Sequence, residues 1–451
     1  MVDPAVQDLV SLDRDVGRAF GAVEAFRESL IADASGAAAD PFEGLRYVAG
    51  KSTWEALGEL SPSAADVPLR DALRRWVAAF VQTRIGLDAE RAWAEGASAL
   101  QGHFAGDVPR RVSWREAWRG VAHSRSAAEA RLWLEAAAPA ARSLAAVATT
   151  RAIRRLEVAR RMGGKHPWDE LVPVSRAALR DAASLFLRST EDLSTASRHE
   201  TNESEDPGAA FFSAAAREAT AGWPARLTPS WLREVLRDQP HAGSLRLDAL
   251  PRPVGAASFG RALHQFGFAA RVALTPARTP FALAREPAFI GAHRFAFLFG
   301  ALVSDPEFHV RALGLGRIAA RAQARILTRT VLFEARSRAV RLLLGDEAAF
   351  APADLYSELT VRLFGSPLDE RFRGAWPPPR EDEPARFIAM LQASRFRRDL
   401  RDRFDVDWFH NPRAWDSLRE QCMGGARETV EEPALGTAGE AWARELEEAL
   451  G

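Results

Sequence analysis

The chain has one cysteine in 451 residues, Cys422. A disulfide framework and a cysteine-based zinc site are both excluded. Lysine is nearly missing too: Lys51 and Lys165 stand within a combined Lys and Arg count of 60, so almost every cation is an arginine. That excess weakens any single arginine cluster as a sign of function. Acidic residues also number 60 and the formal net charge is zero, so nothing global favours nucleic acid or an anionic membrane. No run approaches the roughly 18 uncharged apolar residues of a membrane span, and the apolar 295–303 is too short. The opening residues, MVDPAVQDLVSLDRD, have neither a basic n-region nor an apolar h-region, so a cytoplasmic location is expected. There is no P-loop, no GxGxxG after a strand, no GxSxG and no EF-hand pattern.

What is present is ordinary for a soluble globular chain: 47% hydrophobic and 27% charged residues. Apolar residues recur at helical spacing almost throughout. Val6, Leu9, Val10, Val16, Phe20, Val23 and Phe26 predict a helix over 3–34, with Asp3 as N-cap and Pro4 in the first turn. Further helices are expected at 66–85, 88–100, 126–162, 175–188, 208–221, from 228, and at 256–273, 287–303, 306–343, 352–363, 383–404, 411–422 and 437–450. The polar stretch after 188 reads as a surface loop, and GAWPPPREDEP (374–384) as a rigid connector. One strand is expected at 244–250, where Leu245 and Leu247 alternate with Arg246 and Asp248. The expected fold is all-α, a large helical body with a deep cleft and a minor edge β element. An N-terminal half, 1–240, would form one wall or lid and 241–451 the other, within one compact unit.

The stretch from Ser244 to Arg294 carries the chemistry. A helical zinc peptidase needs HExxH on a helix, so that two imidazoles one turn apart share a metal and the Glu activates water. The order strand, SFGRALHQFGFA, loop, REPAFIGAHRFAFLFGAL resembles the helical gluzincin metallopeptidases. That group holds angiotensin-converting-enzyme-like carboxypeptidases and thimet-type oligoendopeptidases. The resemblance is clearest over 244–311 and weakens toward 425.

Carried over by position, the resemblance places Gly260 on the first His, Arg261 on the general-base Glu and His264 on the second His. Arg294, after His293, falls on the third ligand. Phe387 falls on the oxyanion-stabilising Tyr and lacks its hydroxyl. One histidine does not hold catalytic zinc, and guanidinium groups repel a dication. The expectation is therefore a degenerate, catalytically inactive peptidase homologue with no zinc. Its cleft, lined by Arg261, His264, His293, Arg294, Phe387, Leu245 and Leu247, would bind a peptide, a protein partner or an anionic small molecule. Arg261 and Arg294 converging on His264 would suit a carboxylate or phosphate; neither nucleic acid nor membrane is expected as a partner. Two alternatives stand beside it: an active peptidase with a metal site rebuilt from His264, His293 and Glu286 or Glu307, and a helical scaffold with a closed cleft.

Overall fold

In this computed structural model, the described residues are 8–32, 39–124, 126–169, 171–200, 223, 228, 230, 255–345, 351–378, 380–423 and 430–451. The expected strand at 244–250, with Leu245 and Leu247, and the expected helix over 208–221 lie outside them, as do Asp3, Pro4 and all but residues 228 and 230 of the helix expected from 228.

The fold is helical. The first helices are α1 (Leu9–Ala32), α2 (Lys51–Glu59) and α3 (Val67–Ser98). Asp8 opens α1, its carboxylate accepting from the backbone N–H of Val10 and Ser11. The two helices expected at 66–85 and 88–100 are one: Gly86 sits inside α3, and the Arg151 guanidinium lies 3.3 Å from where a Cβ would stand. Glycine there permits close approach rather than ending the helix.

A short antiparallel hairpin follows, β1 (Gly102–Phe104) with β2 (Arg110–Val112), where the sequence reads as loop. Its strands are three residues each, too short for alternation to register. Then come α4 (Trp114–His123) and α5 (Ala127–Arg161), both opened by an S-x-x-E capping pattern. Ser113 accepts from Glu116 N–H and Ser126 from Glu129 N–H. Next are α6 (Arg176–Ser189) and α7 (Glu191–Glu200). The latter corrects the expected surface loop. Arg336 accounts for the difference: wholly buried, it donates to the Leu187 carbonyl, the Thr190 hydroxyl and the Glu191 carboxylate, anchoring the start of a polar helix.

The second half contains α8 (Ala256–Leu274), α9 (Phe281–Ala284), α10 (Ile290–Gly300), α11 (Pro306–Arg311), α12 (Arg317–Gly345), α13 (Ala353–Phe364), α14 (Glu383–Phe404), α15 (Pro412–Met423) and α16 (Glu432–Leu450). The helix expected over 306–343 breaks at LGLG, where Gly314 takes φ +66°, a left-handed turn that glycine adopts at no steric cost.

Three cores hold these elements. One lies among α1–α3 and a second among α8, α10, α14 and α15. The largest joins α4–α6 to α12–α14 and α16, bringing Phe186, Phe387 and Trp442 together from both halves of the sequence. No helix among the described residues is long and apolar enough to cross a membrane.

Candidate functional site

The site is built on the pairing of α8 with α10. Gly267 lets the backbones meet: a Cβ there would stand 2.3 Å from the Phe295 carbonyl oxygen. Farther along, Gly300 meets His264 and Gly260 meets Val303, so the two chains run antiparallel. The His264 imidazole is consequently largely, though not wholly, covered. Its ring lies edge-to-face on Phe297 at 4.9 Å, and the Arg338 guanidinium covers Phe297 at 4.8 Å. Burial, then the charges of Arg338 and Arg386, push the His264 pKa down to about 3, so the ring is neutral at physiological pH.

The other residues selected from the sequence scatter. Gly260 faces Val303. Arg261 is exposed on the outer side of α8. Arg294 is one residue, about 100° of helix, beyond His293, and it turns away, donating to Gln421 at 3.0 Å and covering the Phe396 ring at 5.0 Å. Phe387 is wholly inside the largest core. The expected convergence of Arg261 and Arg294 on His264 is therefore corrected: Arg261 stays in solvent, and Arg294 is drawn away to Gln421 and Phe396. Of the described residues in that set, only His293 lines open space.

That space is a cavity of about 800 Å³. On one side are α1, α3 and α5; on the other are the α8–α10 connection, α10 and the residues leading into α14. The connection is fixed to the first side at two points. Asp13 on α1 accepts from the N–H groups of Phe281 and Ala282, each at 2.8 Å, and the Trp76 indole donates to the Arg285 carbonyl at 2.7 Å.

One part of the lining is aromatic, with Phe20, Trp76 and Phe289 in mutual ring contact and Phe268 joined to them through Phe289. Phe289 takes φ +53°, a left-handed backbone that is rare for a bulky residue and costs roughly 1–3 kcal/mol. It is held there at the start of α10, its ring against the other three.

Farther along the same elements the lining is ionic. Glu381 reaches Arg151 at 2.6 Å, Arg155 at 3.6 Å and Arg27 at 3.7 Å, while Glu90 joins Arg151 at 2.8 Å and Arg27 at 3.2 Å. Burial raises the Glu381 pKa, but Arg155, Arg151 and Arg27 outweigh it and hold the carboxyl at about 2. Beside this network, Asp382 accepts from Arg386 Nε at 2.5 Å and faces His293 Nε2 at 3.5 Å. Burial opposes ionisation of Asp382, yet His293 and Arg386 keep it well below the usual carboxylate range. Burial lowers the His293 pKa more than Asp382 raises it. A carboxylate can only accept, so the proton of a neutral His293 belongs on Nε2. Its Nδ1 makes no hydrogen bond.

The donor set does not suit zinc. Among the described residues no three His, Cys, Asp or Glu side chains come together as a metal site. Glu286 accepts from Gly291 N–H at the start of α10, and Glu307 pairs with Arg311 at 2.7 Å, so neither joins His264 and His293. The nearest charges to His264 are guanidinium groups, which repel a dication. A tyrosine hydroxyl is also missing from the cavity. Tyr47 donates to Asp15 at 2.5 Å, and Tyr356 is buried in the core, its own pKa raised by that burial.

Sequence reasoning missed Glu381, Asp382, Arg386 and Arg338. The acidic triplet 381–383 ahead of a helix was the available signal, hidden within an apparent connector. The arginines gave none in a chain whose cations are nearly all arginine.

No family model and no curated protein matches the chain. Its fold is similar to the crystal structure of a protein from Bacillus anthracis str. Ames assigned as an oligoendopeptidase F. The TM-score is 0.54 at 10% sequence identity, covering 98% of this chain and 85% of that one. The chain thus has a helical, peptidase-like fold.

Proposed function

We propose that this chain is a non-hydrolytic homologue of the helical metallopeptidases, whose cavity binds a short peptide or a molecule of similar size and mixed polarity. One observation carries the reading. The cavity stays open, with an aromatic and an ionic part to its lining, while the helix that would hold zinc presents Gly260, an outward Arg261 and a largely covered His264. About 800 Å³ falls within the range of roughly 300–1,000 Å³ typical of ligand pockets. The walls supply both apolar area and charge-assisted hydrogen bonds, the two elements a peptide uses.

Proteolytic chemistry lacks its parts. His264 is neutral and packed on Phe297. Asp382 is held ionised by its partners, which makes it a weak proton acceptor. The degeneracy extends to both families named by the sequence resemblance, angiotensin-converting-enzyme-like and thimet-type, since each relies on the same HExxH helix. A closed-cleft scaffold accounts for the packing around His264 but not for the open volume at His293.

The test is calorimetry against a library of tri- to hexapeptides, with mass spectrometry of the same mixtures after prolonged incubation. The reading predicts saturable binding of a subset and recovery of every peptide intact. Chelator-sensitive cleavage overturns the non-hydrolytic part, and a library with no binder overturns the binding part.

A further inference from the structure

At the end of the cavity where α14 begins, cations outnumber anions. Arg338 and Arg341, one turn apart on α12, lie within electrostatic reach of Arg380 and Arg386. Three carboxylates act on these four guanidinium groups: Asp382, Glu383 and, on Arg338, Glu334.

The pairing is incomplete. Asp382 is taken by Arg386 at 2.5 Å. Glu383, almost wholly buried, meets Arg338 at a long 3.4 Å, while its Oε2 and the Arg338 Nε make no hydrogen bond. Arg341 donates to Ser337 on its own helix at 3.2 Å and has no carboxylate within ion-pair distance among the described residues. Arg380 is exposed, lines the cavity and makes no ion pair among the described residues. Burial, and then repulsion by Arg380, Arg338 and Arg386 that Glu383 only partly offsets, lowers the Arg341 pKa to about 10.

Gathering guanidinium groups away from water without matching anions is costly unless something negative completes the set. Arg380, Arg386 and His293 carry the cluster to the cavity surface. The aromatic residues adjoin it, with the Phe268 ring 5.4 Å from His293 and against Phe289.

We propose that this end of the cavity binds an oxyanion, a carboxylate or a phosphate group, on a ligand whose apolar part lies against Phe20, Trp76, Phe268 and Phe289. Arg380 is the primary donor, because it lines the cavity and has no ion-pair partner among the described residues, and the buried Arg341 behind it adds uncompensated positive charge. The planar fork of a guanidinium matches both oxyanions in bidentate geometry. The proposal rests on the ligand-binding reading above and names the chemistry the ligand carries. It uses none of the arginines that the sequence alone picked out.

The experiment compares three probes by calorimetry: acetyl-Phe-Ala-Phe as the free acid, the same peptide as its C-terminal amide, and inorganic phosphate. Each is run against the parent chain, Arg380→Ala and Arg341→Gln, with unliganded melting curves establishing that the variants fold. Arg380 is exposed and unpaired, so its truncation leaves the fold intact even if the Arg341 variant is unstable. The expected result is that the acid binds about tenfold more tightly than the amide, the worth of one charge-assisted hydrogen bond. Arg380→Ala removes that preference, and added salt weakens acid but not amide binding. Binding of phosphate alone, lost in Arg380→Ala, supports the oxyanion site with a phosphate-bearing ligand and overturns the peptide reading. Equal binding of acid and amide, without phosphate binding, overturns the oxyanion site and leaves the peptide reading standing. Binding of none of the three overturns the oxyanion site, while the wider library decides the general reading.

Discussion

Glu381→Gln is expected to destabilise the chain by roughly 3–5 kcal/mol, the usual cost of removing one partner from a buried ionic network. Among the described residues, Glu381 alone pairs with all of Arg151, Arg155 and Arg27. The first two keep only 12% side-chain exposure, and Glu90 alone cannot neutralise all three. A neutral amide of the same shape leaves them facing one another without compensation. Urea denaturation at neutral pH measures the effect. A control at Glu24→Gln, whose side chain is half exposed beside Arg27, is expected to cost under about 1 kcal/mol. If Glu381→Gln loses no more than that control, the ionic network does not hold the two sides together. The pH dependence has the same origin. The folded-state pKa of Glu381 is lowered from 4.5 to about 2, so its contribution is complete above 4.5 and is lost as pH falls through that window.

A second loss on acidification begins at higher pH. His264 has a folded-state pKa of about 3 against an ordinary 6.5. Below 6.5 the unfolded chain takes up a proton that the folded chain refuses, so stability falls steadily until the folded ring titrates as well. His293 and His309 are shifted the same way, chiefly by burial. At about 1.4 kcal/mol per pH unit, His264 alone accounts for roughly 3 kcal/mol by pH 4. The diagnostic window is pH 6.5 to 5, above the range in which Glu381 titrates. There, His264→Gln is expected to flatten the dependence of stability on pH, whatever its cost at neutral pH. An unchanged slope would place His264 in contact with water and remove the argument that its neighbours cover it.

The sequence made most of the helical architecture legible because amphipathic spacing is strong over long helices such as α5, α12 and α14. It misjudged places where a glycine or a buried arginine has two possible effects. Gly86 and Gly314 look alike in sequence, yet one sits mid-helix against Arg151 and the other takes a left-handed turn that breaks the chain. At the site, the position of His264 on its helix was readable from SFGRALHQFG, as was the lack of an HExxH pattern there. The neighbours of His264 were not readable. Arg338 lies on α12 and Arg386 on α14, brought in by packing across more than 70 residues of sequence in each case. Arg261 and Arg294 were picked out because they fall on metal-site positions of the resembled family, and the pattern of residues along the chain does not say where their side chains go: Arg261 is exposed and Arg294 pairs with Gln421. Positions 245 and 247 lie outside the described residues, so the expected cleft-edge strand has no structural counterpart to compare.

The central proposal is that this peptidase-like fold does not hold zinc at His264, a neutral histidine with Arg338 and Arg386 nearby. Equilibrium dialysis of the purified chain against zinc, followed by metal analysis and a peptide-cleavage assay on the dialysed protein, tests it most directly. The account predicts well under one zinc per chain, unchanged by His264→Ala, and no cleavage. One zinc per chain that is lost in His264→Ala, together with peptide cleavage abolished by a chelator, would contradict it.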